Sequence, residues 1–166
     1  MERVFIALGS NIGDRAANIK KAVDLIAASG AVTVVRSSHL YETRPWGVED
    51  QPDFINAVIE VRTTLAPAAL LAHLKGVEAQ MGRVATERWG PRIIDADIIF
   101  YGARVVMEEG LSIPHARMRE RAFVLVPLCE CAPTLIHPVV GRTIKELLDA
   151  LDPQERASVN KSAKDE

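Results

Sequence analysis

Along this chain the hydrophobic positions switch between a period of two and a period near 3.6. Val4 to Leu8 is an unbroken apolar run that closes on Gly9, Ser10 and Asn11, the pattern of a central strand entering a turn. Ile19, Ala22, Val23 and Ile26 then recur at helical spacing, with Asp14 placed as the N-cap and Gly30 as the stop. The stretch VTVVRSSH from Val32 predicts a second strand. Tyr41 to Pro52, YETRPWGVEDQP, carries two prolines, a glycine and several polar residues, and predicts a long loop. From Phe54 the segment FINAVIEV alternates, with Ile55, Ala57, Ile59 and Val61 on one face and Phe54, Asn56 and Val58 on the other. Pro67 opens a helix whose Leu70, Leu71, Leu74, Val77 and Met81 form a core stripe before Gly82 ends it. A loop from Arg83 to Pro91 leads into a further strand around Asp95 and Asp97. GARVVMEEGLSIP from Gly102 predicts a hairpin, and Thr143 with Glu146 forms a capping box for a last helix through Leu151. The tail from Pro153 is polar and is expected to fray.

The order strand, helix, strand, strand, helix, strand predicts an α+β fold of the ferredoxin-like sandwich type. Its antiparallel sheet would be flanked by helices, with a C-terminal elaboration. A single domain is expected over residues 1–152, followed by the polar tail 153–166. At 166 residues the chain can bury a core without disulfides or metals. With 48% hydrophobic and 25% charged residues it has the composition of a soluble globular protein.

A net charge of −2 supplies no overall basic field for nucleic acid or an anionic membrane, so any phosphate-binding charge must be local. No stretch offers the roughly 20 apolar residues of a membrane span, and the N-terminal apolar run is too short for a signal sequence. A cytoplasmic monomer with neither nucleic acid nor membrane as partner is expected. Cys129 and Cys131 stand too close for a useful disulfide, and no second Cys/His pair stands at zinc spacing. They are expected to be reduced and mostly buried.

The stretch RWGPRIIDADIIF carries the chemistry. Positions two apart on a strand share a face, so Asp95 and Asp97 point together while Ile94, Ala96 and Ile98 line the other side. Two rises of about 3.3 Å put their Cα atoms about 6.6 Å apart, far for a shared proton and suited to gripping divalent cations. The plain alternative is a pair of solvated acids on the wet face of an antiparallel sheet. The neighbours favour the metal reading, because Arg88 and Arg92 flank Trp89 and Pro91 just upstream. Between Arg83 and Arg121 there are seven arginines and no lysine. The arginine fork binds phosphate bidentately, although the whole chain also favours arginine over lysine. Metal-holding acids beside phosphate-holding arginines point to phosphoryl chemistry on a nucleoside triphosphate.

Phe54 and Asn56 share a strand face beside the loop that carries Thr43 and Trp46. An aromatic plane next to an amide suits a flat, hydrogen-bonding heterocycle, though a structural Phe and a turn-linked Asn fit the same spacing. GSNIGD matches neither the P-loop nor the dinucleotide glycine pattern, so side chains must grip the phosphates. His115 precedes Arg117, Arg119 and Arg121, which makes a phosphate contact or a surface turn equally natural there. His39, His73 and His137 are scattered and carry no assigned chemistry.

The segments ALGSNIGD, YETRPWG, QPDFINAV, ERWGPRIIDADIIFYG and IPHARMRERAFVLVPLCECAP together resemble the 6-hydroxymethyl-7,8-dihydropterin pyrophosphokinases of folate synthesis. The resemblance spans nearly the whole chain. It implies transfer of a diphosphoryl group from ATP to the pterin hydroxymethyl oxygen, with release of AMP, on a ferredoxin-like fold with two Mg²⁺ ions. Asp95 and Asp97 would hold both ions. Arg83, Arg92 and Arg121 would contact the triphosphate, with Arg83 and Arg92 catalytic beside the two acids. Glu78, Arg88, Trp89, Ile98, Ser112 and His115 would complete the ATP site. Thr43, Trp46 and Asn56 would surround the pterin edge, with Phe54 and Phe123 stacked on its faces. The chain departs from the family pattern at Ala85 and Gly110, where arginines occur in other members, and at Ala96, where leucine is usual. A palm-like nucleotidyl transferase or cyclase would also set acids on such a sheet, but the aromatic and amide pocket argues against it. An RNA-binding module would need glycine and aromatic signatures that the chain lacks.

Overall fold

The computed structural model describes residues 2–43, 52–82 and 92–162. Strand β1 (Arg3–Ser10) leads into helix α1 (Arg15–Ala28), then β2 (Val32–Ser37), β3 (Tyr41–Thr43) and β4 (Phe54–Thr63). Helix α2 (Pro67–Gln80) precedes β5 (Asp95–Tyr101). In the sheet β5 pairs β1, β1 pairs β4, and β2 and β3 lie end to end along the outer edge of β4. All these pairings are antiparallel, and the order is the ferredoxin-like one expected from the sequence.

Local chemistry sets the element ends. Asp14 caps α1 by accepting the Ala17 N–H at 3.1 Å, and Gly30 takes a φ of +79° in the turn beyond. Pro67 occupies the first turn of α2, where its missing N–H costs nothing. Ile19, Ala22, Ile26, Leu70, Leu74 and Val77 from the two helices are buried against Val4, Ile6, Leu8, Ile55, Ala57, Ile59 and Val61 of the sheet. The two hydrophobic periods therefore meet in one core.

The opposite face of the sheet is covered as well. Beyond β5 a small hairpin, β6 (Val106–Glu108) and β7 (Leu111–Ile113), runs through a short 3-10 turn into α3 (Ala122–Cys131). Helix α4 (Ile144–Asp149) follows, with both arms of the Thr143–Glu146 capping box formed. Phe5, Val58 and Phe100 pack against Leu125, Leu128, Ile144 and Leu147 in a second core. α3 is apolar on nearly every side and carries Pro127 inside it, so packing rather than propensity holds it helical. Glu130 ties α3 to β3: its carboxylate accepts the Tyr41 hydroxyl at 2.6 Å and the His39 N–H at 3.1 Å. Burial resists ionisation of Glu130, but these hydrogen bonds outweigh it and hold the carboxyl below its usual range.

Three expectations change. Tyr41–Thr43, placed in the long loop, is strand, because β4 offers it a free edge at Phe54 to Asn56. The apolar stretch from Ala122, assigned no element, forms α3 and covers the second face of the sheet over much of its extent. The tail does not fray over its described part. Asp152 caps α5 (Pro153–Ala157), β8 (Asn160–Lys161) adds to β3, and Val159 is buried against Tyr41 and Ala122. One apolar residue in a polar stretch supplies that anchor. Cys131 is buried and Cys129 half-buried, both as free thiols, and burial pushes the Cys131 thiol up to about 11. Among the described residues no helix is long and apolar enough to cross a membrane.

Val159→Asp tests the docked tail. It is expected to lower unfolding free energy by about 2 kcal/mol or more in urea denaturation, whereas a frayed tail would give a change of about 0.5 kcal/mol or less.

Candidate active site

Because β1 is central, each of its residues faces one neighbour on β5 and another on β4. Gly9 lies opposite Asp95 on one side and Asn56 on the other; Ala7 lies opposite Asp97 and Val58. Asp95 and Asn56 are thus two strand spacings apart, about 9.6 Å, on one face of the sheet. Gly9 makes the floor between them. A Cβ there would come within 2.8 Å of Asn56 Oδ1 and 3.5 Å of the Phe54 ring. Asp95 and Asp97 are both half-buried, as the period of two requires for a pair sharing one environment.

The pocket side of that row is closed by short polar links. Asn56 Nδ2 donates to Thr43 Oγ1 at 2.8 Å, and both residues are buried. The alternation read from the sequence therefore brings Phe54, Asn56 and Thr43 together. Phe123, on the first turn of α3, is half-buried, and the Arg121 guanidinium sits 5.5 Å from the centre of its ring. Burial lowers the Arg121 pKa from its ordinary value against the pull of Asp97 and Asp95, so the arginine and the acidic pair act on one another.

His115 follows β7, with its backbone N–H donated to the Ile99 carbonyl at 3.0 Å. Its Nδ1 accepts the Arg117 N–H at 3.2 Å, which leaves the ring proton on Nε2. Burial, with Arg121 and Arg117 nearby, lowers the imidazole pKa to about 4, despite the opposing influence of Asp95. His115 is a neutral donor at neutral pH. Beside it opens a pocket of about 330 Å³ lined by Leu71, Asp97, Ile98, Glu108, Ser112 and His115. Its lining mixes apolar and polar side chains, which suits a nucleotide, and Ile98, Ser112 and His115, all expected in the ATP site, are together there. Leu71 and Glu108 were not anticipated at this site. The helical stripe had placed Leu71 in the core, and nothing local marked Glu108.

Glu78 is 2% exposed, and its carboxylate accepts the N–H of Ala96 at 2.8 Å, between the two aspartates. It also takes Lys75 Nζ at 3.3 Å. Glu78, expected in the ATP site, is therefore a buried support for the acidic strand. Arg92 is half-buried, with its backbone held by Asn11. Trp46, Arg83, Arg88 and Trp89 lie outside the described residues. Among the described residues no group of three or more His, Cys, Asp or Glu side chains could hold a metal ion. Two carboxylates on a shared face fit Mg²⁺, which is commonly held by one or two acids together with substrate phosphates and water.

Residues 5–133 match the family model of 7,8-dihydro-6-hydroxymethylpterin-pyrophosphokinase (HPPK). The chain belongs to the HPPK family. A 2-amino-4-hydroxy-6-hydroxymethyldihydropteridine pyrophosphokinase of Methylorubrum extorquens is 48% identical over 153 residues, covering 92% of this chain and 96% of its own length. The Bacillus subtilis protein of the same description is 47% identical over 126 residues, 76% of this chain and 75% of its own. The wild-type Plasmodium falciparum HPPK-DHPS crystal structure superposes with a TM-score of 0.70 at 17% identity, covering 89% of this chain and 44% of that one. That similarity is one of fold, and this HPPK-family chain spans less than half of the fused neighbour.

The depressed His115 pKa has a consequence for stability. A base whose folded pKa falls below its ordinary 6.5, here to about 4, binds fewer protons folded than unfolded between those values. Its contribution to stability is therefore present above pH 6.5 and is lost as pH falls toward 4. Urea midpoints of the metal-free protein should fall more between pH 7 and pH 5 for the native chain than for His115→Gln; parallel slopes would contradict the burial argument.

Proposed function

We propose that this pterin pyrophosphokinase transfers the diphosphoryl group of ATP to the hydroxymethyl oxygen of 6-hydroxymethyl-7,8-dihydropterin, giving AMP and the pterin diphosphate in folate synthesis. The observation that carries the reading is the row Asp95, Gly9, Asn56. It joins an acidic pair to an aromatic and amide pocket across one glycine on one sheet face.

Asn56 spends Nδ2 on Thr43, leaving Oδ1 to accept from the ring N–H donors of the pterin. Phe54 and Phe123 supply the planes between which the ring stacks. Across the Gly9 floor the pocket beside His115 takes the nucleotide, with Nε2–H as a neutral donor to it. Arg83, Arg92 and Arg121 grip the triphosphate, and Arg88 and Trp89 complete the ATP site. Glu78 holds the backbone between the acids, keeping both side chains aimed at the phosphates. Asp95 and Asp97 would hold the two Mg²⁺ ions beside the triphosphate, where bound metal would supply neutralisation of its negative charge.

The hydroxymethyl oxygen attacks the β-phosphorus. The bond from that phosphorus to the oxygen bridging the α-phosphate breaks, AMP leaves with the electron pair, and the hydroxyl proton passes to solvent. Positioning and charge neutralisation supply most of the acceleration, as in phosphoryl transfer generally.

Incubation with ATP, Mg²⁺ and 6-hydroxymethyl-7,8-dihydropterin should produce AMP only when the pterin is present; ADP, or AMP without pterin, would exclude this reaction. Asp95→Asn and Asp97→Asn should each lower turnover on the order of a hundredfold or more without unfolding the chain. Phe123→Ala should weaken pterin binding about tenfold by calorimetry while ATP affinity stays within about twofold. Equal losses for both ligands would remove Phe123 from the stacking role.

A further inference from the structure

Asn11 is fully buried, yet neither the metal pair nor the aromatic pocket accounts for it. It follows β1 directly, at the end where the antiparallel neighbours β5 and β4 both begin. Arg92 stands three residues before β5 and Pro52 two residues before β4. The Asn11 backbone N–H donates to the Arg92 carbonyl at 3.0 Å, and Asn11 Oδ1 accepts the Arg92 N–H at 2.7 Å. The other half of the same carboxamide, Nδ2, donates to the Pro52 carbonyl at 3.1 Å.

The turn that carries Asn11 is itself held in place. Asn18 Nδ2 donates to Ser10 Oγ at 3.1 Å and to the Ile12 carbonyl at 2.8 Å, and Arg15 donates to the Asp53 carbonyl at 2.9 Å. These links fix the turn to the first turn of α1 and to the entry of β4. A carboxamide donates and accepts through a short, planar group, so it can bridge an N–H on one side and a carbonyl on the other. A carboxylate of the same size only accepts, and a serine reaches one side at most.

We propose that Asn11 is a positioning residue that sets the spacing between the two substrate sites. Its carboxamide joins the backbone of the phosphate-side Arg92 to the segment that delivers Phe54 and Asn56 to the pterin. The inference rests on the proposed pyrophosphokinase reaction and assigns Asn11 no contact with either substrate. Each half-site keeps its own side chains when the bridge is lost, so binding survives. What suffers is the alignment of the hydroxymethyl oxygen with the β-phosphorus, where a shift near 1 Å is costly.

The test separates affinity from rate. In single-turnover assays with enzyme in excess, Asn11→Ser should lower the rate of AMP formation on the order of a hundredfold. Calorimetric affinities for a non-hydrolysable ATP analogue, and for the pterin in its presence, should stay within about threefold, with circular dichroism confirming the fold. Asn11→Asp keeps an acceptor for Arg92 while removing the donor to Pro52, and serves where the serine variant does not fold. An unchanged rate, or affinity and rate falling together, would overturn the positioning role, as would failure of both variants to fold. If the unsubstituted chain forms no pterin-dependent AMP, the reaction itself is wrong. If it does and the folded Asn11 variant matches it, only the role of Asn11 is lost.

Discussion

A central antiparallel strand has two edges, and the site depends on what β1 does with them. One register sets Gly9 opposite Asp95 on one edge and Asn56 on the other, so a charged half-site and a hydrogen-bonding half-site share a sheet face. The missing side chain matters as much as those present, because a methyl group at Gly9 would press on Asn56 Oδ1. A slip of one residue would turn every side chain of the slipped strand to the other face. The hydrophobic packing of Val4, Ile6 and Leu8 against α1 and α2 prevents that slip, so the core enforces the site geometry.

Burial on both faces then confines the ligand space to one end of the sheet. α3 covers Phe5, Val58 and Phe100 but begins at Ala122, and among the described residues a pocket opens beside Asp97. The start of that helix brings Arg121 and Phe123 to the opening. Glu130, further along α3, binds Tyr41, two residues from Thr43 on the same strand, so the helix and the pocket edge are fastened to each other. The stabilising contacts of the second core are in this way also the frame of the pocket edge formed by Thr43 and Asn56.

Charge in the site is local and graded. The chain as a whole is slightly acidic, at −2, while Arg121 acts on both acids of the strand and is itself near Arg117. Asp95 and Asp97 offset that positive charge, and His115 stays neutral because burial and two arginines oppose its protonation. The pocket beside it therefore presents His115 as a hydrogen-bond donor that adds no further cation.

Short-range features were legible along the chain because their causes lie within a few residues. Strand parity alone puts Asp95 with Asp97 and Phe54 with Asn56, the caps at Asp14 and Thr143 follow from hydrogen bonds within one turn, and Pro67 opens α2 because a first turn needs no N–H there. The ferredoxin-like order followed from the sequence of periods. That Ala122–Cys131 forms a helix over the second sheet face, the docking of Val159 and the place of Leu71 and Glu108 in the pocket beside His115 were not legible. Nor were the neutrality of His115 and the bridge at Asn11, whose side-chain partners stand 81 and 41 residues away. Spacing in sequence fixes the direction in which a side chain leaves its own element. Which distant groups it meets, and how far they shift its charge, is set by packing that no local pattern encodes.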